Sequence, residues 1–374
     1  MKKTVFLISI LLVLRVSAQI NTRRTIAIPD IPGYVTLKCD FHMHTVFSDG
    51  QVWPDVRVAE AWNDGLDAIA ITDHLEYSPH SGDIKADRNR SYEIAKGPGK
   101  QMNIIVIHGA EITRGNPVGH WNCLFIQDGE KVNKDSAYDG LVEATAQKAV
   151  IQWNHPGWRL PNEIPVWYGF QQKVFDHKMM NQIEIVNETS YYPLAHQWAL
   201  DKNLAITANS DVHGPIYQSY GNIVHRPITL VFAKERSEAS IKEALLAGRT
   251  AVYHIDTLMG REEFLKPLLQ QSLTVKTPVI TIAGKQWIDV ILDNSSDVPV
   301  MLSFKGGSDE YASVGSGIYV PAHGQARVTV KGLKENVGER KYSIPCIVDN
   351  YYVGPRKGMS TSFEFTVKFE VAKK

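Results

Sequence analysis

Cysteine is scarce in this chain of 374 residues, with only Cys39, Cys123 and Cys346. An odd, sparse set leaves at least one thiol unpaired and excludes a small disulfide-stapled scaffold. Cys39 and Cys123 fall in strand-like runs, which reads as buried free thiols, a Cys39–Cys123 bridge being the alternative. An excess of one charge is also missing: 40 basic residues balance 40 acidic ones. No broad positive field is therefore available to hold a nucleic acid. Beyond the first residues no apolar run is long enough to span a bilayer. Repeats and low-complexity tracts are absent too, which excludes a solenoid or a linker-like chain.

The first residues have the order of a secretory signal. Lys2 and Lys3 precede a mostly apolar run over 5–14, and the small residues Val16, Ser17 and Ala18 stand before Gln19. We expect residues 1–18 to be removed and the rest to be exported, to the periplasm or beyond. No cysteine stands at the cleavage point, so neither a lipid anchor nor any other stable membrane anchor is expected.

With 44% hydrophobic residues the chain can bury a sizeable core, and its length suits two domains. Strand-like runs at 37–42, 68–72, 104–108, 150–153, 183–186, 204–208 and 228–232 alternate with helix-like segments, among them 54–63, 138–148, 192–201 and 237–246. Apolar strands alternating with helices point to a parallel α/β sheet or barrel. The texture changes after Asp256. A helix is expected over about 261–272, with Pro267 as a kink. Strands then follow at 279–282, 287–292, 298–304, 317–320, 326–330 and 362–369. We therefore divide the chain into a barrel over 19–256, a linker helix over 257–273 and a β-sandwich over 274–374.

The chemistry-bearing residues collect where the strands end. The first strand leads into His42 and His44, which share a face by their spacing, with Asp49 beyond. The second leads into Asp73 and His74, the third into Glu111, with His120 after a glycine-containing turn. The fourth leads into Asn154 and His155, and the sixth into Asp211 and His213. One histidine at a strand end is usually structural. Five strand ends together are not so easily explained, because α/β barrels build active sites at the carboxyl ends of their strands. Imidazole with carboxylate suits zinc, manganese or iron rather than calcium. Nine candidate ligands exceed what one tetrahedral ion uses, so two or three divalent ions are expected, with Glu111 as a bridge.

These motifs resemble the PHP family, named for polymerase and histidinol phosphatase. The resemblance rests on His42-Met43-His44-Thr45 with Ser48-Asp49-Gly50, then Ile71-Thr72-Asp73-His74, Gly109-Ala110-Glu111, Asn154-His155-Pro156 and Ser210-Asp211-Val212-His213. It covers about residues 36–254, and the motifs occur in the family's order. It implies a distorted seven-stranded (β/α) barrel followed by a small all-β sandwich domain. By matching position, it implies one ion held by His42, His44, Glu111 and Asp211. A second would take Asp49, His74 and His213, and a third Glu111, His120 and His155. Some family members carry a histidine where this chain has Gly50.

The implied activity is hydrolysis of a small phosphate ester, with a hydroxide held between ions near Glu111 as nucleophile and Glu111, Asp211 and His213 as the catalytic group. Arg114, Arg159 and Asn187 are the candidate substrate contacts; for the arginines, ordinary surface positions are the alternative. Asp73 either orients a ligand or caps a turn. Hydrolysis of an amide or carboxylic ester, and a binding protein without chemistry, are the competing readings. The sandwich carries no chemical constellation, although Tyr351 and Tyr352 are candidates to face a ligand there. The oligomeric state is left open.

Overall fold

The computed structural model describes residues 22–370 apart from 86, 222–224, 284–286, 305–311, 314–315 and 332–337. The expected signal segment, 1–18, lies outside the described residues. The first domain contains β1 Val35–Asp40, β2 Ala68–Ile71, β3 Ile105–Thr113, β4 His120–Leu124, β5 Val150–Trp153, β6 Met180–Asn187, β7 Ser190–Tyr191, β8 Ala205–Asn209, β9 Ile228–Ala233, β10 Thr250–His254 and β11 Thr257–Gly260. Their order in the sheet is β11-β10-β9-β1-β2-β3-β4-β5-β6, with β8 also paired to β6.

All seven expected strands are present, but the sheet is not wholly parallel. β1–β2, β2–β3, β5–β6 and β6–β8 pair in parallel. β4 runs antiparallel between β3 and β5, and β9 runs antiparallel to β1. β4 doubles the chain back after Glu111, which brings His120 to the same end of the barrel as the strand termini.

Side chains complete the closure. β8 meets β9 and β10 through threonine hydroxyls: Ile206 N donates to Thr250 Oγ1 and Ala208 N to Thr229 Oγ1, each at 2.9 Å. Beyond the strand ends, Met43 and Val212 form a parallel bridge, and Asp211 N donates to His42 O at 2.9 Å. The two metal motifs from opposite ends of the barrel sequence are thereby laced together.

Local sequence explains these elements. β2 reads Ala-Ile-Ala-Ile and is buried at every position, as a strand covered on both faces must be. The helix Pro54–Asn63 starts with proline at its first turn, where the missing N–H costs nothing. The helices Ala137–Ala146 and Glu238–Leu246 are capped by Ser136 and Ser237, whose side chains accept from Asp139 N and Ser240 N. Cys39 and Cys123 are free and buried, as expected, and Cys346 is free and buried too.

The second domain contains β12 Leu273–Val275, β13 Val279–Ala283, β14 Trp287–Asn294, β15 Val300–Phe304, β16 Ala312–Ser313, β17 Gly317–Val320, β18 Gln325–Lys331, β19 Gly338–Gly354 and β20 Lys357–Glu370. One sheet has the order β12-β14-β18-β16; the other joins β13, β20 and β19 to β15 and β17. The expected linker helix over 257–273 is helical only from Glu262 to Ser272. Thr257–Gly260 is instead β11, paired antiparallel to β10 and parallel to β19 through Leu258–Tyr351 and Met259–Tyr352. The sheet thus runs from one domain into the other. Tyr351, a candidate ligand contact by sequence, is fully buried in the shared core.

Candidate metal centre

At the carboxyl end of the barrel, Glu111 receives side chains from four segments. Its Oε1 lies 3.1 Å from His120 Nδ1, 3.5 Å from His42 Nε2 and 3.7 Å from His155 Nε2, and accepts from Asn154 Nδ2 at 2.8 Å. Its Oε2 faces His74 Nδ1 and, at 3.9 Å, His44 Nε2. Asp211 Oδ1 lies 3.0 Å from His44 Nε2 and 3.1 Å from His42 Nε2. Asp49 Oδ1 lies 3.3 Å from His213 Nε2, 3.5 Å from His74 Nε2 and 3.9 Å from His44 Nδ1.

Three groups offer converging donors: His44, Asp49, His74 and His213; His42, Glu111 and His155; and His42, His44 and Asp211. All nine sequence candidates therefore reach one site. Their partition differs from the one expected by matching position. His44 joins the Asp49 group, and His42 approaches both Glu111 with His155 and Asp211 with His44. His120 touches Glu111 but belongs to none of the three groups.

The donor set fits metal ions. His42 Nε2 and Asp49 Oδ1 are buried and make no hydrogen bond, although each faces several polar neighbours. Orphaned buried atoms of this kind are costly, and imidazole nitrogen with carboxylate oxygen is the chemistry that borderline divalent ions take.

The electrostatics follow the same geometry. Burial alone favours neutral His42, but Asp211, Glu184 and Glu111 outweigh it and raise its pKa well above the usual value. Burial, with His74 nearby, pushes His44 down to about 4. Burial opposes a charged His74, yet Glu111 and Asp49 bring it up to about 10. Burial would raise Asp49 and Asp211, but the surrounding histidines hold both carboxyls well below the usual range. The carboxylates around them thus favour charged His42 and His74, while burial keeps His44 neutral.

Beneath the ligands lies a polar network filling the barrel interior. Glu184, fully buried, accepts from His42 Nδ1 and Asn209 Nδ2 at 2.9 Å, from Gln152 Nε2 at 3.1 Å, from His155 N at 2.7 Å and from Asn187 Nδ2 at 3.0 Å. Its bond to His42 Nδ1 leaves Nε2 pointing at Glu111 and Asp211, the usual way a carboxylate orients an imidazole ligand. Asp73 fixes the loop after His44: it accepts from Thr45 N at 2.6 Å and from the hydroxyls of Thr45 and Ser48 at 2.7 Å. Arg57, wholly buried, donates to His44 O, Val212 O, His213 O and Gly214 O at 2.8–3.0 Å and pairs with Glu60. One guanidinium thus ties together both flanking metal motifs.

The cavity above has a volume of about 490 Å³ and is lined by Asp49, His74, Glu111, His155, Asp211 and His213, with Tyr77, Trp158 and Glu188 among its walls. Arg114 lines it, but its guanidinium is already paired with Glu76 and bonded to the carbonyls of Thr113, Lys134 and Asp135. Arg159 lines it with no ion pair among the described residues. Asn187 does not line the cavity; it is buried and donates to Glu184 and, at 3.4 Å, to Asp211.

Several contributors escaped the sequence reading. Glu188 directly follows Asn187 at the end of β6, so the strand-end rule would have found it. Trp158 follows Asn154-His155-Pro156 by two residues. Arg57 gave no signal, because a helix arginine ordinarily faces solvent.

Fold and site together define an α/β barrel with a multi-ligand metal centre at the strand ends. The comparisons agree. A PHP domain is matched over residues 40–185 and an Ig-like domain over residues 273–364. A solved two-domain protein from Bacteroides vulgatus, described as containing a predicted PHP-like metal-dependent phosphoesterase, is 36% identical. The match covers 92% of this chain and 99% of that one, with a TM-score of 0.86. An uncharacterized protein of Methanocaldococcus jannaschii is 40% identical over 81 residues, 22% of this chain. The match spans only 36% of that curated relative's length. The chain belongs to the PHP family, with an Ig-like domain at its C-terminal side.

Proposed function

We propose that this protein is a metal-dependent hydrolase of small phosphate esters, using two or three divalent transition-metal ions. The observation that carries the reading is Glu111, whose two carboxylate oxygens face separate sets of histidines. A carboxylate so placed is suited to bridge ions. Asp211 and His42 would hold one side, Asp49, His74 and His213 the other, with His44 within reach of both. When bound, closely spaced divalent ions supply an acidified water and charge stabilisation for the phosphoryl oxygens.

The chain's own residues contribute orientation and shape. Glu184 aims His42, Asp73 holds the His44 loop, and Arg57 fixes the backbone of His44 and His213. Glu111, Asp211 and His213 line the cavity in which the reacting phosphate would lie. Trp158 and Tyr77 stand among its walls. The cavity fits a small ester, and the balanced charge gives no support for a nucleic-acid substrate.

The likeness to a PHP-like metal-dependent phosphoesterase supports the reaction class; fold alone does not distinguish phosphate from amide or carboxylic esters. Metal-loaded protein assayed against phosphomonoesters, phosphodiesters, amides and carboxylic esters decides it. Release of phosphate is expected, and turnover of amides or carboxylic esters alone would reject the reading. We also propose export, on the order of residues in 1–18; mature protein beginning at Gln19 is the expected result of N-terminal sequencing.

A further inference from the structure

The loop that follows β5 is built in a strained way. His155, Arg159, Asn162 and Glu163 all adopt positive φ, at 24°, 57°, 53° and 53°. For residues with a Cβ this left-handed conformation is unfavourable. Gly157 lets the loop close tightly on itself: a Cβ there would lie 2.2 Å from Glu163 O and 2.7 Å from Tyr192. Strain of this kind persists where the surroundings impose it, and here its product is the placement of two side chains.

Those side chains are Trp158 and Arg159. The indole of Trp158 packs against the imidazoles of His120 and His155, with ring centroids at 4.9 and 5.4 Å. The Arg159 guanidinium carbon sits 4.2 Å from the centroid of that indole. Stacking on an aromatic face holds the planar fork without consuming its N–H donors. Both residues line the main cavity and also a smaller adjoining one, which they share with Arg114, His120 and His155. Arg114 spends its donors on Glu76 and on backbone carbonyls. Of the two arginines on the cavity wall, Arg159 is therefore the one positioned to receive an anion.

We propose that Trp158 and Arg159 form a subsite for a second acidic group of the substrate, remote from the phosphate being cleaved. The preferred substrates are then phosphate esters of small alcohols that carry a carboxylate or a further phosphate. This rests on the phosphoesterase reading above. Placed beside the ligand cluster, the fork reaches an anion through paired N–H···O bonds, and its planarity favours carboxylate and phosphate oxygens over a hydroxyl.

The test uses three matched esters with the metal-loaded full chain: 3-hydroxypropyl phosphate, 3-(phosphonooxy)propanoate and propane-1,3-diyl bisphosphate. The proposal expects kcat/KM for the two acidic esters to exceed that for the hydroxypropyl ester. In Arg159→Gln, KM for the acidic esters should rise about 10–100-fold, the loss of charge-assisted hydrogen bonds. The change for the hydroxypropyl ester should be at least tenfold smaller. Arg159→Lys, which keeps the charge and loses the fork, should fall between. A preference for only one acidic ester identifies the second group as carboxylate or phosphate and upholds the subsite. Equal kcat/KM for all three esters, or an equal loss on all three in Arg159→Gln, overturns the proposal while leaving the phosphoesterase reading intact. Absence of phosphate release from any of a broad ester panel rejects that reading instead. Circular dichroism and metal content of each variant separate misfolding from loss of the subsite.

Discussion

Glu184→Gln is the most informative single change, because it alters charge at nearly constant volume. The carboxylate has five donors around it. His42 Nδ1, Gln152 Nε2 and Asn209 Nδ2 point at Oε1, and His155 N and Asn187 Nδ2 point at Oε2. A glutamine amide has one oxygen and one NH2 group. Its best orientation keeps the oxygen toward the three donors and sets the NH2 against the other two. His155 N then loses its acceptor in a buried site, and the Asn187 amide keeps only its 3.4 Å bond to Asp211. An orphaned buried donor costs about 1–3 kcal/mol, so the variant should be less stable by at least about that much. Residues that orient metal-bound histidines also set affinity, and the loss there should be about 10–100-fold. Urea denaturation of the metal-stripped protein gives the first quantity, and titration against a chelator of known affinity gives the second. A variant as stable as the parent, with unchanged metal affinity, would refute the idea that Glu184 organises the site from below.

Other perturbations follow the same physics. Gly50→Ala would place a Cβ 2.6 Å from the backbone of His44 and Thr45; the loop must move, and binding titrations should show weakened metal affinity at the Asp49 group. Arg57→Ala removes the cation shared by the His44 and His213 segments and leaves Glu60 without its partner, a loss of about 3–5 kcal/mol by chemical denaturation. The metal-stripped protein should be most stable near pH 6.5. His74, raised from 6.5 to about 10, contributes stability that is complete below 6.5 and is lost as pH rises through 10. His108, His196 and His254, lowered by burial from 6.5 to about 4, contribute stability present above 6.5 and lost as pH falls toward 4. Denaturation midpoints across pH that show no such maximum would contradict this. A chain ended after Asp256 should aggregate rather than fold, because Leu258, Phe264, Leu265 and Tyr351 belong to the same core as Met43, Val58 and Ile69.

Much of the site was legible in the sequence because metal ligands cluster by rule at strand ends. His42 and His44, Glu111, His155, Asp211 and His213 all stand at or just past the end of an apolar run. The partition among ions was not legible. It depends on how the 42–44 and 211–213 segments are laced across the barrel closure, a long-range pairing that leaves no local trace. β4 was obscured for a similar reason: it is an antiparallel insertion that breaks the strand–helix rhythm. β19 was missed because its first residues are exposed on both faces: Glu339, Arg340 and Lys341, followed by Ser343, make this part read as polar loop. Arg114 and Arg159 looked alike by position, and only the presence of Glu76 beside one of them separates their roles.

Metal counting on the purified full chain would reveal whether Glu111 joins more than one ion. Elemental analysis of protein saturated with zinc, manganese or iron and freed of excess ions should find two or three ions per chain. Glu111→Ala should hold fewer, with phosphoesterase activity falling in step. A parent protein that retains no metal, or a Glu111→Ala variant with the parent's full complement and full activity, would contradict a multi-ion centre built on Glu111.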